Sequence, residues 1–115
     1  MMAKLSPDIR ATLSQQKEQL LDLIDEAKSL EFILLDSVGE TQETISTLEQ
    51  LTEIAEQART KLSQLSTVHL RVAEIQPTIS NNLLKLMNQA IESIENRIPA
   101  LERSLDEIKL DWRLK

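Results

Sequence analysis

Residues 9–34 read IRATLSQQKEQLLDLIDEAKSLEFIL. Within them Ile9, Leu13, Gln16, Leu20, Leu23, Ala27, Leu30 and Leu34 follow one another in steps of four and three without a miss. An α-helix turns once every ~3.6 residues, so a repeat averaging ~3.5 keeps these side chains on one slowly winding stripe. A strand, with its period of two, would scatter them over both faces. The stretch is therefore a helix with a coiled-coil seam, and other helices must cover that seam.

Working outward, Ser6-Pro7-Asp8 supplies the start. A Ser side chain caps free backbone N–H groups, Pro is pre-shaped for the first helical position, and Asp suits the positive end of the helix dipole. Downstream stands Gly39, the only glycine in the chain. It is the residue best able to take the left-handed conformation that closes a helix. Ser37 and Glu40 have capping-box spacing for a new start.

A second seam follows through Ile45, Leu48, Leu51, Ala55, Ala58, Leu62, Leu65, Val68, Val72 and Ile75. Its middle is lean, so the small side chains of Ala55 and Ala58 predict a narrow waist, or a groove, where a neighbour approaches closely. Gln76-Pro77 ends it, because Pro lacks a backbone donor and pushes the residue before it out of helical geometry. The third helix starts between Pro77 and Ser80, with its seam at Leu83, Met87, Ala90, Ile94, Ile98, Leu101, Leu105, Ile108 and Trp112. Pro99 falls inside it without a good cap before it, which predicts a kink rather than a stop.

These readings predict an all-α fold: a single helical domain over residues 1–115, built as an antiparallel three-helix coiled-coil-type bundle. The helices are expected at about 7–37, 41–75 and 78–113, the last kinked near Pro99. Such a rod would be about 45–50 Å long. In layout, though in no sequence motif, the arrangement resembles the spectrin repeat. The alternative is a long helical hairpin, with Pro77 a mere kink, that dimerises to cover its seams.

Composition agrees with long helices. Apolar residues make up 41% of the chain, with one Phe, one Trp, no Tyr, one Gly and three Pro. Sandwiches, barrels and doubly wound sheets need many more turns than that. The net charge of −6 repels phosphate backbones and anionic membrane surfaces, and no basic stripe with interleaved aromatics offsets it, so nucleic acid is not expected as a partner. No run approaches the ~18 apolar residues of a membrane span. The N-terminal residues lack a signal-peptide core, and the cytoplasm is the expected compartment.

Candidate chemistry is sparse. There is no Cys and a single histidine, His69, with Ser66 where a metal-binding helix would want Glu. The pairs Asp22/Glu26, Asp25/Glu26 and Glu92/Glu95 lie among Lys and Gln, off the apolar stripe, as solvated faces do. No triad spacing links a Ser to His69, and one glycine cannot build a phosphate-cradling loop. Neither catalysis, a cofactor nor a metal is expected.

The functional expectation rests on a second stripe. At about 100° per residue Phe32 points almost opposite the main seam. Leu21, Ile24, Phe32 and Leu35 together form an apolar line interrupted by Lys28. Such a stripe off the core marks an interface. Trp112 is a second candidate contact, since Trp is over-represented among binding hot spots, though it also suits a plug at the bundle's end. The expected function is a non-enzymatic protein–protein interaction module: a scaffold, adaptor or assembly subunit that self-associates, as a homodimer, or binds a partner helix. A small regulator or chaperone masking an amphipathic helix of one client, and a binder of an apolar ligand or lipid between helices, are the alternatives.

Overall fold

The computed structural model describes residues 6–75 and 80–114. Three helices fill them: α1 (Pro7–Ser37), α2 (Gln42–Glu74) and α3 (Asn81–Trp112). Cross-helix bonds give their directions. Gln57 and Lys61 of α2 meet Arg97 and Ser93 of α3, one number rising as the other falls, so α2 and α3 are antiparallel. Gln16 and Glu26 of α1 meet Ile91 and Lys109 of α3, both rising together, so α1 and α3 are parallel. All three helices pack on one another, and the up-down-up bundle is the fold, not the dimerising hairpin. Its long axis is 59 Å. That exceeds the about 45–50 Å expected from helix length alone.

The α1 seam forms as its spacing requires. Leu13, Gln16, Leu20, Leu23, Ala27, Leu30 and Leu34 are all buried, and Ile9 packs partly against the core. Ser6 caps the helix by accepting from the Ile9 N–H (3.2 Å), with Pro7 at the first helical position. At the far end the Val38 and Gly39 N–H groups both donate to the Leu34 carbonyl (2.9 and 3.3 Å). Gly39 closes the turn at φ +82°, the left-handed region where a Cβ is disfavoured.

The start of α2 differs from the sequence expectation. The capping box is made by Thr41 and Thr44, not by Ser37 and Glu40. Thr41 Oγ1 accepts from the Thr44 N–H (3.1 Å), while the Thr44 hydroxyl accepts from the Thr41 N–H and donates to the Gly39 carbonyl (2.7 Å). This draws Thr44 fully inside. The next residue along a helix points about 100° away, and Ile45 is accordingly turned out and 45% exposed. The first inward positions are therefore Thr44, Thr47, Leu51 and Ile54, not Ile45 and Leu48. From Leu51 the expected seam resumes, with Ala55, Ala58, Leu65 and Val72 buried and Leu62 and Val68 partly so; Ile75, just past the helix end, is exposed.

The expected break at Gln76-Pro77 lies outside the described residues. Ser80 caps α3 by accepting from the Leu83 N–H (3.1 Å), so the helix starts at Asn81 rather than near 78. It runs unbroken through Pro99, as expected of a residue that does not stop the helix. Leu83, Met87, Ile94, Ile98, Leu101, Leu105 and Ile108 are buried, with Ala90 and Trp112 partly so.

The shift at the start of α2 has a measurable consequence. Urea unfolding should show Leu51→Ala losing about 2–5 kcal/mol, the usual result for a buried leucine. Thr44→Ala should lose about 1–2 kcal/mol through the missing cap. Ile45→Ala should lose under about 1 kcal/mol, since its side chain is half in water. Were Ile45 the costlier of the last two, the residue would be core and the turn misplaced.

Candidate interaction surface

The second stripe of α1 divides into a buried and an open part. Ile24 packs against the core and belongs to it. Leu21, Phe32 and Leu35 do not: they are 54%, 71% and 40% exposed. The reason is angular. Two neighbours, α2 on one flank and α3 on the other, cover the seam and its borders, while Phe32 lies about 180° from it. Lys28, within the stripe, forms an ion pair with Glu31 (3.2 Å). The lysine is exposed while the Glu31 side chain is only 25% so, and a pair open to water on one side contributes little to stability.

The turn extends this surface. Val38, the residue capping α1, is 46% exposed, and Ile45 stands out from the first turns of α2. Both flank Gly39–Thr41, so Phe32, Leu35, Val38 and Ile45 crowd the hairpin end of the bundle. Sequence reading missed the last two. Val38 carries no periodic signal because it lies past the end of its helix, and Ile45 satisfies the seam spacing until Thr44 claims the inward position. Leu110, at the same end in α3, is also exposed.

Trp112 takes the plug position. It packs partly against the core, and its indole N–H donates to Thr47 Oγ1 (3.0 Å). The bond ties the end of α3 to the start of α2, which explains why a Thr can face inward at 47 without an unsatisfied hydroxyl. Ala55 and Ala58 are buried, so the waist is a place of close helix approach and not an open groove. An open groove of about 470 Å³ runs instead between α2 and α3, over Ile54, Leu101 and Ile108, with Glu49, Glu53, Glu107 and Asp111 along its lips.

Gln16 is the polar member of the α1 seam. It is 4% exposed, and its amide donates to the Ile91 carbonyl (3.0 Å), while its own Oε1 has no partner among the described residues. The bond to Ile91 is a polar one between α1 and α3 inside an otherwise apolar seam, the kind of contact by which coiled coils specify register. His69 sits beside two cations. Lys17 Nζ lies 2.7 Å from its Nδ1. An ammonium only donates, so Nδ1 accepts and the ring is neutral with its proton on Nε2. Partial burial first, then the charges of Lys17 and Arg10, lower its pKa below the ordinary 6.5.

Of the carboxylate pairs, Glu26 reaches Lys109 across to α3, and its hydrogen bond raises the lysine's pKa. Among the described residues no group of three His, Asp or Glu is placed to hold a metal ion. No helix among them is long and apolar enough to cross a membrane. Comparison with protein-family models, with curated proteins and with solved structures found no match.

The depressed His69 pKa links to stability. The unfolded chain takes up a proton near pH 6.5 while the folded chain still resists it, so the folded state is favoured fully above that pH and progressively less below it. Urea midpoints measured from pH 7.5 downward should fall once the pH drops below about 6.5, and His69→Gln should flatten that part of the profile. An unchanged slope in the variant would show that His69 contributes nothing to it.

Proposed function

We propose that the chain is a non-enzymatic interaction module, a scaffold, adaptor or assembly subunit that works by burying the outer face of α1 against another protein. Exposed Phe32 carries the reading. A lone apolar side chain in water is ordinary, but Phe32 shares its face with Leu21 and Leu35 and its end of the bundle with Val38 and Ile45. The three-helix core does not require them there. Covering a Phe gains about 1.5–3 kcal/mol, and a rigid aromatic on a packed helix loses little conformational freedom when it docks. Helix-in-groove recognition uses this geometry of apolar anchors along one helix face.

Phe32→Asp separates this role from a structural one. The variant should keep the far-UV helical spectrum and a urea stability within about 0.5 kcal/mol of the parent, as exposed positions do. It should weaken capture of a partner by about tenfold or more, because a carboxylate cannot be buried in an apolar contact. Pull-downs and light scattering on both proteins read this out, a second copy counting as a partner. Loss of helicity would make Phe32 core, and an unchanged mass and partner set would remove α1 from the interface.

A further inference from the structure

The hairpin end carries acidic as well as apolar side chains. Residues 29–58, between Lys28 and Arg59, hold seven carboxylates and no Lys or Arg. The chain as a whole carries −6, so this run of thirty residues at −7 leaves +1 for all the rest. A groove of about 320 Å³ beside the turn shows the mixture directly: it is lined by Glu40, Ile45, Leu48, Glu49, Thr52 and Glu53.

Helix stability does not account for most of these charges. Glu40 and Glu43 do sit at the α2 N-terminus, where the helix dipole favours them. Asp36 occupies the last turn of α1, the negative end, which has no basic residue. Glu49 and Glu53 stand four apart on α2, and Glu53 and Glu56 three apart, spacings at which like charges repel. Their repulsion remains in the free protein and would be relieved by a cation.

We infer that the occupant of this surface is a basic amphipathic helix of a partner protein, its apolar face on Phe32, Leu35, Val38 and Ile45 and its Lys or Arg side chains on the surrounding carboxylates. A second copy is the wrong partner, since a symmetric contact would press two such acidic ends together. Lys and Arg suit the site doubly, because their methylene stems cover apolar surface while their charged heads stay wet. The inference rests on the interaction reading above and adds the chemistry of the partner to it.

Two fluorescein-labelled model peptides of about 18 residues test it, sharing an all-Leu apolar face but carrying Lys or Glu on the polar face. Anisotropy titrations should show the Lys peptide binding and the Glu peptide not. Raising NaCl from about 0.05 to 0.5 M should weaken the Lys complex by about tenfold or more. The combined variant Glu40→Gln, Glu49→Gln, Glu53→Gln should weaken it by about tenfold too, and Phe32→Ser should abolish it, both with unchanged helical spectra. Equal binding of both peptides, or binding that the Gln variant retains but Phe32→Ser removes, would overturn the charge inference and leave the interaction reading standing. Concentration-dependent dimerisation abolished by Phe32→Ser would do the same. Lys-peptide binding untouched by Phe32→Ser would overturn both, and binding of neither peptide would overturn the inference.

Discussion

A single hydroxyl organises the hairpin end of this bundle. Thr44 Oγ1 donates to the Gly39 carbonyl while accepting from the Thr41 N–H, and Gly39 supplies the left-handed residue that lets the chain reverse there. Buried polar groups have to be paired, so Thr44 is held inward once these bonds form. The first turns of α2 then have no rotational freedom. Thr47 comes inward three residues later and becomes the acceptor for Trp112, which fastens the end of α3. Ile45 is turned outward by the same step. The closure of the bundle and the apolar character of its outer end are thus two results of one local arrangement.

Along the shaft a different constraint rules. Each helix of a three-helix bundle meets two neighbours, which cover its seam and the two borders but not the far side. For α1 this means that Ile24 is absorbed by the core while Leu21 and Phe32 remain in water. The buried seam holds the rotation of α1, because turning its exposed apolar residues inward would carry Leu13, Leu20, Leu30 and Leu34 into water, and Gln16 adds a bond to the Ile91 carbonyl. The acidic run of residues 29–58 passes through the same hairpin end, with Glu40, Glu49 and Glu53 beside Ile45 and Leu48 in one groove.

Much of this was legible in the sequence, and the exceptions share a cause. The α1 seam was readable residue by residue because Leu dominates it and the step pattern never slips. Gly39, Ser6 and Pro7 declared their roles through backbone chemistry that few residues can supply. Phe32 could be placed opposite the seam from helix geometry alone. The start of α2 was not readable in the same way. Its inward positions are Thr44 and Thr47, polar residues that hydropathy assigns to the surface, while Ile45 next door satisfies the spacing. A capping box with Thr in place of Glu or Gln at its third position weakens the usual signature. Only the pairing of hydroxyls decides which residue goes in: Thr44 with Gly39 within the turn, and Thr47 with Trp112 across the fold. Ile54 escaped for a related reason: Ala55 fits the repeat, and both turn out to be buried.

The central claim is that Phe32 lies open to water in the free, folded protein. The chain has no cysteine, so a single introduced thiol reports accessibility at one position without background. The decisive measurement is the rate of reaction of Phe32→Cys with a water-soluble disulfide reagent, set beside Leu34→Cys, whose site is fully buried. An open Phe32 site predicts a thiol reacting within about an order of magnitude of the unfolded chain, with the thiol at 34 slowed far more by its burial. A thiol at 32 protected as strongly as the one at 34, in a variant that keeps its helical content, would contradict the claim and place the outer face of α1 inside a core or a self-made interface.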